Sequence, residues 1–288
     1  MTERPVVRFA PSPNGLLHLG HAYSALLNWD LALKSGGRFL LRVEDIDTGR
    51  SRPEFEQAIY QDLGWLGLEW KKPVRHQSDH FDDYRDALDR LRSLGVLYPC
   101  FCTRKDILAE IADSDTAPYG PLGTIYPGIC RALSVLDQEQ RLASGHPHAL
   151  RLDTVKAFEA VASPPTWREV SGAQPDDIPC DLTNLGDVVL ARKDVPTSYH
   201  LAVTLDDALQ GVTLVARGND LAPATHVHRL LQALLDLETP DYLHHQLIDG
   251  PEGSKLSKRK SSPSLRSLRE EGTTPADIRR MLGLPVPG

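Results

Sequence analysis

Two histidines three positions apart, in His18-Leu19-Gly20-His21, follow the stiff run Ala10-Pro11-Ser12-Pro13-Asn14-Gly15, and a lysine-rich segment, Gly253-Ser254-Lys255-Leu256-Ser257-Lys258-Arg259, lies near the other end of the chain. Imidazoles at a helix start can donate to phosphate oxygens, with backbone N–H groups and the positive end of the helix dipole beside them. The spacing puts His18 and His21 on about one helical face, and the small Gly20 lets a nucleotide lie close to the backbone. The lysine segment falls between Gly253 and Pro263 and has little to pack. Such a loop can move, and a lysine arriving on closure stabilises a departing pyrophosphate. An isolated basic run is most often a solvated face. Paired with the histidine motif, it describes a site that holds a nucleoside triphosphate through attack at its α-phosphate.

A second constellation is suited to a metal. Cys100, Cys102 and Cys130 fall within 31 residues, with Tyr126 among them, and Cys180 stands apart and is expected to be buried. Cys100 and Cys102 are too close for an ordinary disulfide, and four cysteines are few for a disulfide framework. Tetrahedral zinc needs four ligands, and a closed site staples a loop region that has little hydrophobic core. By spacing alone the fourth ligand is Tyr126 or a histidine such as His146 or His148.

These groups need elements to position them. Val6-Val7-Arg8-Phe9-Ala10 reads as a short buried strand; Ala22, Ala25, Leu26, Trp29 and Leu33 recur at helical spacing; Gly36-Gly37 stops the helix before a second strand, Phe39 to Val43. A strand, helix, strand unit favours a parallel sheet. Ser51-Arg52-Pro53-Glu54 has capping-box spacing and predicts a helix to about Leu66, and Phe81, Tyr84, Leu88, Leu91 and Leu94 mark another that stops at Gly95. From about Leu97 to Cys180 periodicity weakens, as in an insertion. The sheet is expected to resume with Val188 to Ala191 and Val212 to Ala216, followed by a helix over Val227 to Leu237 and a short final one over Pro275 to Leu282.

The chain has 288 residues and a net charge of −7, from 32 basic and 39 acidic side chains, so no global positive field draws in polyanions. Any nucleic-acid surface must be local. The N-terminus has no apolar signal core, and no run of about 18 apolar residues follows, so a cytoplasmic protein without a membrane partner is expected.

The histidine and lysine segments resemble the HIGH and KMSKS signatures of class I aminoacyl-tRNA synthetases. The surroundings resemble the glutamyl branch: Arg8-Phe9-Ala10-Pro11-Ser12-Pro13, Arg42-Val43-Glu44-Asp45-Ile46-Asp47-Thr48, Tyr199-His200-Leu201-Ala202-Val203, Asp206-Asp207-Ala208 and Arg217-Gly218-Asn219-Asp220-Leu221. This resemblance implies an α/β fold, a Rossmann-like parallel sheet interrupted by a zinc-containing insertion. The implied division is 1–96 and 181–250 for the two halves of the catalytic domain, 97–180 for the insertion, and 251–288 for the lysine loop and a short helical remnant.

Glutamate carries two carboxylates and one ammonium, for which arginine forks and a strand-end carboxylate are fitting partners. By resemblance, Arg8 and Arg217 hold the side-chain carboxylate, Glu44 the α-amino group, and Tyr199 adds a hydrogen bond, with Ala10 and Ser12 lining the pocket. Pro11, His18, Gly20, His21, Lys255 and Lys258 would bind ATP, which brings Mg2+. His18, His21 and Lys258 would be catalytic. Cys-x-Cys with Tyr-x-x-x-Cys is similar to the pattern of the short paralogues called glutamyl-Q tRNA(Asp) synthetases, and favours Tyr126 with Cys100, Cys102 and Cys130 as one structural Zn2+ site.

Only 29 residues follow Arg259, too few for an anticodon-reading domain. The subgroup resemblance implies a monomer that activates L-glutamate without tRNA. It then passes the glutamate to queuosine in the anticodon stem-loop of tRNA(Asp). The alternatives are a catalytic fragment charging tRNA(Glu), a small-molecule adenylyltransferase, and a zinc-stabilised RNA-binding module without catalysis.

Overall fold

The computed structural model describes residues 4–112, 119–172, 174–183, 185–248 and 263–287. Lys255 and Lys258 lie outside these described residues. The opening unit is as expected. Strand β1, Val6–Phe9, is buried along its whole length, as a strand covered on both faces must be. Helix α1, Leu19–Ser35, ends at Gly36, whose φ of 62° is reached without the penalty a Cβ would impose. Strand β2, Arg38–Val43, pairs parallel with β1, Val6 opposite Arg38 and Phe9 opposite Leu41. Ala22, Ala25 and Leu26 are fully buried, but Leu33 is 61% exposed and Ala32 takes its place in the buried stripe. A period of 3.6 carries that stripe to position 32 as readily as to 33.

Helix α2, Pro53–Trp65, has Arg52 at its N-cap and no side-chain cap bond, so the box expected from Ser51 does not form. Pro53 fixes the first helical φ, and Glu54 and Glu56 face the dipole instead. Strand β3, Arg75–His76, adds to β2 in parallel. Helix α3, Phe81–Ser93, buries Tyr84, Ala87, Leu88 and Leu91.

The next stretch holds β4 (Leu97–Cys100), α4 (Arg104–Ala112), β5 (Tyr119–Gly120), β6 (Gly123–Thr124), α5 (Val135–Ala143), β7 (Ala149–Leu152), α6 (Thr154–Glu159), β8 (Thr166–Glu169), β9 (Asp176–Pro179) and β10 (Val189–Ala191). Strand β7 lies between β4 and β10, antiparallel to both. The apolar run at Val188 to Ala191 therefore does not resume the parallel sheet as expected. Its composition encodes burial, and burial is available on either sheet.

Parallel pairing returns in a second set of strands, with α7 (Tyr199–Leu209), β11 (Leu214–Gly218), α8 (Ala222–Leu234) and β12 (Asp241–His245). Strands β11 and β12 pair in parallel, β8 joins β12 in parallel, and β9 closes that edge antiparallel. Helix α8 starts earlier than Val227, with Pro223 in its first turn. Thr213 N–H donates to Val6 O at 3.0 Å, which seats β11 beside β1 and puts Arg8 and Arg217 on neighbouring strands. Helices α9, Leu265–Glu270, and α10, Pro275–Met281, fold back onto α1 and α2 through Arg269–Asp62 and Arg279–Asp30 pairs, both 2.8 Å. No described helix is long and apolar enough to cross a membrane.

Candidate active site

In parallel α/β sheets ligands collect outside the carboxyl ends of the strands. Here the ends of β1, β2 and β11 open onto a cleft of about 460 Å³. Arg8, Ala10, Pro11, Ser12, His18, Gly20, His21, Glu44, Tyr199 and Arg217 all line it. The described residues predicted for ATP and glutamate are thus brought together in one place.

At one end the start of α1 organises the histidines. Gly20 N–H donates to His18 Nδ1 at 3.1 Å, and His18 N–H donates to His21 Nδ1 at 3.2 Å. A backbone N–H only donates, so both Nδ1 atoms accept and each neutral ring carries its proton on Nε2. Burial lowers the pKa of both, that of His21 to about 3 with the neighbouring His18 adding to the effect. A side chain at position 20 would crowd the cap, because its Cβ would stand 3.0 Å from His18 Cε1. The helix start therefore presents two neutral imidazole donors.

At the other end the two arginines differ in kind. Arg8 Nε and Nη2 donate to Asp207 Oδ1 and Oδ2 at 2.9 and 3.3 Å, and Asp207 also receives Arg42 Nη1 at 2.8 Å. Arg217, only 5% exposed, donates to Thr225 Oγ1 at 2.7 Å, His228 Nδ1 at 3.2 Å and His244 Nε2 at 3.3 Å. Burial, then the Arg217 charge, holds both histidines below their usual range, His228 well below it. Among the described residues no carboxylate forms an ion pair with Arg217. A buried cation without a counterion is costly, which makes this a ready place for an anionic group.

Glu44 follows β2 and lines the same cleft, with Arg42 Nη2 3.4 Å from its Oε1. Burial raises its pKa to about 7 against the pull of Arg42 and Arg8. Tyr199 opens α7, its ring edge-on to His200 and His228, and burial raises its hydroxyl pKa. Ser12, Asn14, Glu44 and Tyr199 also wall a second basin of about 310 Å³, rimmed by Asp47 and Arg192, which pair at 3.0 Å.

Away from the cleft, the Sγ atoms of Cys100, Cys102 and Cys130 lie within 4.8 Å of one another. Tyr126 Oη is 3.5 Å from the sulfurs of Cys100 and Cys102 and accepts the Cys130 N–H at 2.8 Å. Three thiols of the kind zinc prefers thus converge, with the Tyr126 phenol oxygen beside them as a fourth donor. His146 and His148 do not enter the group; their Nδ1 atoms face the carbonyls of Arg141 and His146. Cys180 is buried apart, beside the His226 carbonyl.

Thr225, His228 and His244, which hold Arg217, were not identified from the sequence. The signal available was weak: His226 and His228 inside an apolar helix, and His244-His245 at a strand end.

The family described as tRNA synthetases class I (E and Q), catalytic domain, matches residues 5–285. A protein of Rhodobacter capsulatus named glutamyl-Q tRNA(Asp) synthetase is 48% identical over 283 residues, which cover 97% of this chain and 100% of the relative. One named glutamate–tRNA ligase, from Coprothermobacter proteolyticus, is 37% identical over 277 residues, 96% of this chain and 57% of the relative. Among solved structures, glutamate-tRNA synthetase from Elizabethkingia anophelis superposes with a TM-score of 0.73 at 27% identity, covering 94% of this chain and 54% of its own. The chain spans about half the length of that structure. With its parallel sheet, its histidine helix start and a family match over nearly every residue, this chain belongs to the class I tRNA synthetases (E and Q), as their catalytic domain.

Proposed function

We propose that this protein activates L-glutamate with ATP, without tRNA, and transfers it to the queuosine base in the anticodon loop of tRNA(Asp). The observation that carries the first half is Arg217, a buried cation at the cleft whose described partners are all neutral. The glutamate side-chain carboxylate completes it, with help from Arg8 Nη1, which has no partner among the described residues. Ionised Glu44 receives the α-ammonium, Tyr199 adds a hydrogen bond, and Ala10 and Ser12 shape the wall. The second half is supported by the name and full-length match of the Rhodobacter capsulatus relative.

In the first step the glutamate α-carboxylate attacks the α-phosphorus of ATP and pyrophosphate leaves. Pro11, Gly20 and the Nε2–H donors of His18 and His21 orient the triphosphate, and Lys255 and Lys258 neutralise the leaving group. Mg2+ bound with ATP shares the triphosphate charge. In the second step a hydroxyl of the queuosine cyclopentene ring attacks the activated carbonyl, forming an ester and releasing AMP. The basin beyond Glu44 and Tyr199 is the open approach for that hydroxyl. Cys100, Cys102, Tyr126 and Cys130 would hold a structural zinc ion, which when bound supplies cross-linking of the inserted segment.

Glutamate-dependent exchange of pyrophosphate into ATP in the absence of tRNA tests activation. Incubation of labelled glutamate with tRNA(Asp), with and without queuosine, tests transfer. A base-labile ester on the queuosine-bearing tRNA alone is expected; charging of the 3′ end of tRNA(Glu) would replace this reading with that of a glutamate–tRNA ligase.

A further inference from the structure

A guanidinium has five N–H donors in a planar fork. In Arg217 three are committed, Nε–H to His244, one Nη1–H to His228 and one Nη2–H to Thr225. Among the described residues the second N–H of each terminal nitrogen has no partner, which leaves two donors for the two oxygens of a carboxylate. This arrangement requires His244 Nε2 to offer Arg217 a lone pair and not a proton.

The other face of His244 determines which it offers. His244 Nδ1 lies 2.6 Å from Glu169 Oε2, and the His244 backbone N–H donates to Glu169 Oε1 at 3.1 Å. An ionised carboxylate accepts only, so the imidazole proton sits on Nδ1 and Nε2 is left as an acceptor. Burial tends to raise the Glu169 pKa, but its hydrogen bonds bring the net value below the usual carboxylate range, so it is ionised near neutral pH. Thr225 Oγ1 accepts from Arg217 and stands 3.1 Å from the same Nε2, which closes a small ring of bonds around the guanidinium. Glu169 itself ends β8, opposite Tyr242 of β12, and is not among the residues lining the cleft.

We propose that Glu169 is a positioning residue which, through the tautomer of His244, fixes Arg217 in the orientation that selects a carboxylate side chain over a carboxamide. This rests on reading the cleft as a glutamate site. A glutamine side chain would turn one N–H2 toward a guanidinium that cannot rotate away, setting donor against donor. If His244 were protonated on Nε2 instead, that N–H would face the Arg217 Nε–H. The guanidinium would then be displaced and the discrimination lost.

The test compares wild type, Glu169→Gln and Glu169→Asp in tRNA-independent pyrophosphate exchange. KM and kcat are measured for glutamate and for glutamine, thermal unfolding checks the fold, and 15N spectra of histidine-labelled protein report the His244 tautomer. In Glu169→Gln the introduced amide donates to His244 Nδ1 and forces the proton onto Nε2. The expected result is a rise in the glutamate KM of about ten- to a hundredfold, the range of a hydrogen bond to a charged group. The kcat should stay within a few fold, the preference for glutamate over glutamine should fall by a similar factor, and Glu169→Asp should recover part of it. Wild-type His244 protonated on Nε2 would overturn the proposal without recourse to any variant. So would a Glu169→Gln enzyme with unchanged KM and discrimination, or one that loses kcat alone. Wild-type protein with no glutamate-dependent exchange would instead remove the glutamate reading on which the proposal stands.

Discussion

The imidazole rings of His18 and His21 stack with centroids 3.8 Å apart and planes 30° from parallel. Two imidazolium cations could not share that spacing at a buried helix start, so the stack and the lowered pKa values describe one state, neutral and donating through Nε2.

The cap and the proposed phosphate contact of His18 can therefore be separated. His18→Asn keeps a good N-cap and removes the Nε2 donor, whereas His18→Ala removes both. Pyrophosphate exchange should fall by about a hundredfold or more in each, as for loss of a charge-stabilising donor. Thermal unfolding should register about 1 kcal/mol of lost stability for the alanine variant only. Equal stability losses would argue against the cap.

Glu44 sets a pH dependence whose sign follows from burial. Its pKa is raised to about 7, so below that pH the free protein carries a neutral Glu44 that cannot offset the substrate ammonium. The kcat/KM for glutamate should climb with pH through about 7 and level above it, since this ratio reports the free enzyme. Glu44→Gln should lie far below wild type and lose the inflection. An unchanged inflection in that variant would assign it to another group.

Arg8 and Arg217 should separate stability from function. Arg8→Met leaves buried Asp207 with Arg42 as its remaining arginine partner and should cost about 2 to 4 kcal/mol. Arg217→Met removes a cation that has no described counterion, and should leave thermal stability within about 1 kcal/mol of wild type while abolishing glutamate-dependent exchange. Equal destabilisation by both would contradict the asymmetry of their surroundings.

Purified protein should contain about one zinc ion per chain by elemental analysis, as four convergent donors imply. Cys100→Ser should lose it and expose the segment around Cys100 to Cys130 to proteolysis. Tyr126→Phe keeps the ring, over which the Arg151 guanidinium lies at 3.9 Å, but removes the hydroxyl, and should weaken zinc retention without emptying the core. Full retention in that variant would exclude the phenol as a ligand.

Much of this site was legible because its residues lie where local pattern is strong. The Pro-rich run, the helix start at His18 and the strand before Glu44 are set by residues close in sequence. What escaped depends on distant chain segments. Val189–Ala191 is apolar enough for either sheet, and only pairing with β7 assigns it. Glu169 looks like any charged residue on a short strand until β8 is laid beside β12 and brings it to His244. Ser51 had the spacing of a cap, but Pro53 and its acidic neighbours sufficed to begin the helix one residue later.

Leu247 and Ile248 border the cleft, and on the far side of the lysine segment Leu265 N–H donates to Leu17 O at 2.8 Å while Ser264 bridges to His18. The described residues that flank positions 249–262 on both sides thus lie at the cleft and at the His18 helix start. The two closing helices hold the later of these flanks in place, through Arg269 to Asp62 and Arg279 to Asp30. Trimming them would touch no residue of the cleft and still unseat Ser264 and Leu265 from His18 and Leu17, at the helix start on which the cleft depends.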